Sequence, residues 1–245
     1  MMLAGAIGSE TMKSIQELDA RYYPGYVDEH ARFDRVVRRH LRPDAVVLDA
    51  GAGRGRQYPY DYKQFVSRIV GVDAGAEVHD NPNLDDAVVA DLGELPFDTA
   101  TFDLVFSKYV LEHLDDPVRV FRELRRVTKP GGRLIVHAPN RFHYFALAAR
   151  ITPHRFHVWF NDKRGQAEED TFETRYRAND RFALRRIAAA SRWRIIELDL
   201  FETKPAYLFF HPVAYQAGIA YERAVNRYRG LQDLRCNIIG AFEAI

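Results

Sequence analysis

A doubly wound α/β fold, with a mostly parallel sheet and helices on both faces, is predicted by three features of the 245-residue sequence. Short, continuous apolar runs alternate with amphipathic stretches, as they do when strands are buried on both faces. A glycine-rich turn follows the first of these runs directly, and acidic or polar residues close several of the others.

The elements follow in order. After a turn at Pro24-Gly25, residues 27–41 place Phe33, Val36, Val37 and Leu41 on one helical face. That helix should end near Arg42-Pro43, where Ala45-Val46-Val47-Leu48 begins the first strand. Ile69-Val70-Gly71-Val72, Ala87-Val88-Val89 and Phe102-Asp103-Leu104-Val105-Phe106 read as the next three strands. Asp116 is placed to cap a helix with Pro117 in its first position and Val120, Phe121, Leu124 and Val127 on one face. Pro130-Gly131-Gly132 should end it, and Leu134-Ile135-Val136 is the fifth strand. The pattern then breaks over 141–177. A helix is predicted over 180–191, followed by 193–200 and 206–210 as two antiparallel strands closing the edge of a seven-stranded sheet. The expected organisation is one domain over 1–245, with a core of 27–140 and 179–211, a cap inserted at 141–178 and a helical tail at 212–245.

Composition excludes several classes. With 47% hydrophobic and 28% charged residues the chain can bury a core, and a formal charge of +1 gives no field that would favour nucleic acid. The lone Cys236, read as a small core residue, excludes a disulfide framework and a cysteine-rich metal centre, and no metal ligands are assigned. Residues 1–8 lack the basic leader of a secretory signal, so a cytoplasmic location is expected.

The strongest chemical signal is Asp49-Ala50-Gly51-Ala52-Gly53-Arg54-Gly55 between the first predicted strand and the element after it. Glycines there allow a sharp turn and close approach of backbone to ligand. A dinucleotide fingerprint would place glycine at position 56, where Arg56 stands, which argues against an NAD-binding oxidoreductase. Asp73 ends the second strand, where a carboxylate can accept both ribose hydroxyls. Asp49, Asp73, Asp91 and Ser107 all lie at strand ends and should converge on one crevice.

In these motifs the sequence resembles the class I S-adenosylmethionine-dependent methyltransferases, especially a broad bacterial group acting on small molecules and lipids. The likeness runs over about 27–138, through 46–55, Ala90-Asp91-Leu92, Leu95-Pro96-Phe97 and Phe102-Asp103-Leu104-Val105. It continues in Val110-Leu111-Glu112-His113-Leu114 and in the Leu124-Arg125-Arg126-Val127-Thr128-Lys129-Pro130-Gly131-Gly132 stretch. The resemblance implies a Rossmann-like fold and S-adenosylmethionine as cofactor. It further implies that Gly51, Gly53 and Gly55 pass the methionine part, that Asp49 holds its amino group and that Asp73 holds the ribose. Asp91 would bind the adenine amino group and the Leu92 backbone a ring nitrogen. Asp80-Asn81-Pro82-Asn83 interrupts the helix that usually follows Asp73.

A sulfonium methyl is already activated, so alignment matters most and a base is needed only if the acceptor must lose a proton. Candidate bases are His113, His137 and His143, with His113 and His143 preferred because His137 lies inside a predicted strand. Ser107-Lys108-Tyr109 replaces the Asn/Asp-Pro-Pro-aromatic motif of amino-directed nucleic-acid enzymes. The expected acceptor is therefore a small or lipid-like molecule, methylated at oxygen. Three arginines, three histidines and interleaved aromatics over 141–160 would suit a cap over it. Apolar residues of 205–221, namely Tyr207, Leu208, Phe209, Phe210, Val213 and Tyr215, could instead touch a membrane surface, although packing also explains them. A non-catalytic S-adenosylmethionine-binding or protein-interaction module is the alternative.

Overall fold

The computed structural model describes residues 9–55, 61–151 and 173–245. It divides into two compact units, one made of Glu29–Pro139, Thr174–Asp199 and Ile238–Ile245, the other of Met1–Asp28, Asn140–Glu173 and Leu200–Asn237. The strands are β1 (Val46–Ala50), β2 (Arg68–Asp73), β3 (Asp86–Val89), β4 (Phe102–Lys108), β5 (Thr128–Pro139), β6 (Trp193–Phe201) and β7 (Asn237–Ala244). The helices are α1 (Ser9–Tyr22), α2 (Glu29–Arg38), α3 (Pro117–Val127), α4 (Tyr144–Ile151), α5 (Arg181–Ala190) and α6 (Pro212–Arg227).

The first unit carries the sheet, ordered β3-β2-β1-β4-β5-β7-β6. β1 pairs in parallel with both β2 and β4, Val47 lying opposite Ile69 on one side and Leu104 on the other. β1 is central because Val47, Leu48 and Ala50 are fully buried, leaving no polar face for solvent. Strand order reverses between β1 and β4, which places the ligand crevice of such a sheet at their carboxyl ends. The far edge is antiparallel. The Asn140 amide, just past β5, donates to the Cys236 carbonyl just before β7, and the Ile245 amide after β7 donates to the Arg192 carbonyl before β6.

The helices form where their caps and apolar stripes dictate. Asp116 accepts from the Arg119 amide at 3.0 Å and caps α3, which buries Val120, Phe121, Leu124 and Val127. Asp180 accepts from the Phe182 and Ala183 amides and caps α5. Phe121 meets Phe242 of β7 edge to face, and the Trp193 indole donates to the Phe121 carbonyl at 2.9 Å.

The carboxyl-terminal third departs from the sequence reading. Residues 206–208 form a turn of 3₁₀ helix, and the strand that pairs with β6 is β7, inside the stretch expected to be wholly helical. Asn237-Ile238-Ile239-Gly240-Ala241-Phe242 is almost entirely buried, the mark of an interior strand, and its position at the end of a helical tail masked that signal. β5 also starts earlier than expected. It begins at Thr128, and an irregularity in its register with β4 between Phe102 and Leu104 absorbs Pro130-Gly131-Gly132.

In the second unit α1, an element the sequence reading did not assign, packs on α6 through Ile15, Tyr215 and Ile219, with Leu18, Tyr22, Tyr23 and Phe209 around them. Asp19 accepts from the Tyr215 hydroxyl at 2.6 Å and from Lys204 at 3.1 Å. Arg235 donates to the carbonyls of Val225, Asn226 and Leu200, which satisfies the carboxyl end of α6. Of the apolar residues for which membrane contact was the alternative to packing, Tyr215 is fully buried and Tyr207 stacks on Phe145 at 3.7 Å, while Phe210 and Val213 are exposed. No helix among the described residues is long and apolar enough to cross a membrane.

Candidate cofactor site

Within the first unit, hydrogen bonds tie the glycine loop to Asp73 and to the turn that carries Asp91. The Gly51 and Ala52 amides both donate to the Val72 carbonyl, which ties the glycine loop to the end of β2. Asp73 accepts from the Gly53 amide at 2.9 Å and the Gly75 amide at 3.1 Å. Two amide bonds orient that carboxylate and leave further lone pairs for a diol. The Ala90 amide donates to the Asp73 carbonyl at 2.9 Å, bringing Asp91 and Leu92 beside it. Asp91 is exposed and accepts from the Gly93 amide at 2.6 Å, while Leu92 is half-buried.

Asp49 is buried at the end of β1, and its Oδ1 has no hydrogen-bond partner. Burial, foremost, and the nearby Asp73 push its carboxyl well above the usual carboxylate range, against an opposing pull from Lys108. An orphaned buried acceptor of this kind fits the ammonium of an amino acid. The glycines fit a ligand too. All three have positive φ, 85° at Gly51, 46° at Gly53 and 71° at Gly55. A Cβ on Gly51 would lie 2.2 Å from Val110, and one on Gly55 2.2 Å from Asn81, so these two turn beneath packed neighbours. A Cβ on Gly53 would meet nothing nearer than Asp73 at 4.0 Å, which leaves that face of the loop open for a ligand to pass. These residues fit S-adenosylmethionine.

Ser107 sits at the switch point, but its hydroxyl donates to the Ala50 carbonyl at 2.7 Å and ties β4 to β1. The catalytic candidates fall differently. His137 is fully buried, stacked 5.7 Å from Phe33 and tilted against Tyr109 at 4.7 Å, and is a core histidine. His113 is half-buried in the turn Leu111–His113 beside Glu112, whose carboxyl burial raises to about 7. His143 belongs to the second unit; burial lowers its pKa to about 4, which makes it a weak base. Arg56, Phe156, Trp159 and Phe160 lie outside the described residues, as does most of the expected cap.

Several site residues carried no recognised signal. Asn81, buried, donates to the Ala52 and Gly53 carbonyls, and Asn83 donates to the Gly55 carbonyl. The stretch that interrupts the helix after Asp73 is therefore the brace of the glycine loop. Tyr109 turns the chain after β4 in the left-handed region, φ 56°, a strained conformation that sets Val110 against Gly51. Lys108, buried, contacts the His30 imidazole, and its ammonium lies 5.8 Å from the Phe33 ring.

Residues 48–136 match a family model described as a methyltransferase domain. A Mycobacterium tuberculosis protein named "Probable S-adenosylmethionine-dependent methyltransferase" is 35% identical over 137 residues, 53% of this chain and 47% of that protein. The sarcosine/dimethylglycine N-methyltransferase of Halorhodospira halochloris is 31% identical over 42% of this chain and 40% of its own length. The chain thus spans about half the length of such relatives. In fold it is similar to the geranyl diphosphate C-methyltransferase of Streptomyces coelicolor, with a TM-score of 0.54 and 18% identity over 99% of this chain and 87% of that one. Over residues 48–136 the chain is thus similar to a methyltransferase domain, and S-adenosylmethionine is the cofactor to which the names of its relatives and the residues of the site both point.

Proposed function

We propose that this chain transfers the methyl group of S-adenosylmethionine to a small or lipid-like acceptor, with oxygen as the methylated atom. The observation that carries the reading is the pairing of the unpartnered Asp49 Oδ1 with an Asp73 carboxylate held by two amides across the open face of Gly53. The bound cofactor supplies a methyl group already activated on a sulfonium. The chain's residues then have to bind and align: Asp49 takes the ammonium, Asp73 the ribose diol, and Asp91 with Leu92 the adenine edge. A hydroxyl acceptor must lose a proton, whereas a carboxylate need not, and the His30 imidazole against Lys108 lies at the carboxyl end of β4.

Relatives named for a sterol, for sarcosine and dimethylglycine, and for geranyl diphosphate support a small or lipid-like acceptor. A lipid-like acceptor would also suit shallow membrane contact, which would rest on the exposed Phe210 and Val213. A fold neighbour named as a [4+2]-cyclase, with a TM-score of 0.54, favours keeping binding without methyl transfer as the second reading. Radiolabelled methyl transfer across a panel of alcohols, phenols, carboxylic acids and amines separates the two. Methyl esters or ethers formed by the wild-type chain and lost in Asp73→Ala support the proposal. Cofactor binding with no turnover across the panel supports the second reading.

A further inference from the structure

The second unit holds a cluster that the methyltransferase reading does not use. His143 precedes α4, Glu202 follows β6, and Cys236 precedes β7, so segments remote in sequence meet at one point. One nitrogen of His143, one carboxylate oxygen of Glu202 and the Cys236 sulfur all lie within 4.8 Å of one another. His143 Nε2 faces Glu202 Oε2 at 3.5 Å, on side chains 3% and 5% exposed, and neither atom has a hydrogen-bond partner. Such atoms are costly to leave unsatisfied in a core.

We propose that His143, Glu202 and Cys236 form a site for a zinc-like divalent transition metal. Ligand atoms around a tetrahedral zinc sit roughly 3.3–3.6 Å apart, given bonds of about 2.0–2.3 Å. The His143–Glu202 separation already matches that spacing, and the Cys236 sulfur lies within 4.8 Å of both ligand atoms. A mixed nitrogen, oxygen and sulfur set suits zinc or cobalt and disfavours magnesium and calcium.

The surroundings orient the ligands. The Thr203 amide donates to Glu202 Oε1 at 3.0 Å, which leaves Oε2 to face the imidazole. The Phe145 amide approaches His143 Nδ1 at a long 3.4 Å, so a metal held on Nε2, with the ring proton on Nδ1, would give up only that weak contact. The Cys236 thiol loses its proton on binding. Three protein ligands leave a fourth place for water or an added ligand.

The test is cobalt(II) and zinc(II) titration of the untagged full chain, read without any methyl-transfer assay. One equivalent of cobalt should produce thiolate-to-metal charge-transfer absorption together with tetrahedral d–d bands, and zinc should displace it. Cys236→Ser should abolish the charge-transfer band, and His143→Gln and Glu202→Gln should each weaken zinc binding at least tenfold in a chelator competition. The proposal is overturned if the wild-type cobalt spectrum lacks the thiolate band, a readout that requires no variant to fold. Zinc affinity unchanged in all three folded variants would also overturn it and mark the binding as adventitious.

Discussion

Asp49 shows how a residue can be costly to the free protein and useful to the site. Its buried, unpartnered Oδ1 and raised pKa mean that the folded core holds it at a penalty, so Asp49→Asn should raise the melting temperature of the free chain. The same change should weaken S-adenosylhomocysteine binding at least tenfold, about 1.4 kcal/mol, by calorimetry. Glu112 makes a pH prediction. Its folded pKa, raised from 4.5 to about 7, means the native state binds the proton more tightly than the unfolded chain. Its contribution to stability is full below about pH 4.5 and is lost as pH rises towards 7. Glu112→Gln should flatten the fall in denaturant midpoint between pH 5 and pH 8, and an unchanged slope would refute this origin. The acids at strand ends were legible because position along a strand determines where a side chain emerges. Asn81 was not, since its role depends on a loop distant in sequence.

At the scale of elements, the glycine loop and its asparagine brace form one device. Gly55→Ala forces a Cβ to 2.2 Å from Asn81 Oδ1 at φ 71°, and Asn81→Ala removes the amide that holds the Ala52 and Gly53 carbonyls. Each should cost about 1–3 kcal/mol in denaturant unfolding and should also reduce cofactor affinity. A double variant losing less than the sum would show that the two act together. Caps and periodicity made α3 and α5 legible to within a residue or two, because Asp116 and Asp180 act locally. β7 was hidden because nothing local distinguishes a buried strand from a short buried helix. The partner of β6 is decided by tertiary pairing.

At the scale of the molecule, β7 lies between β5 and β6, so the last residues complete the interior of the sheet. Truncation before Asn237 should abolish cooperative thermal unfolding, and retention of a sharp transition would contradict that role. The parallel strands β1 to β5 were readable from the alternation of apolar runs, whereas their order in the sheet was not. The second unit was not, because 141–177 and the aromatic tail carry no clear period.

The most direct measurement is calorimetric titration of S-adenosylhomocysteine and of NADH into the wild-type chain, Asp73→Ala and Gly53→Val. The account requires saturable binding of S-adenosylhomocysteine to the wild type, at least tenfold weaker in both variants, with no saturation by NADH. Absence of S-adenosylhomocysteine binding, preference for NADH, or full affinity in Asp73→Ala would contradict it.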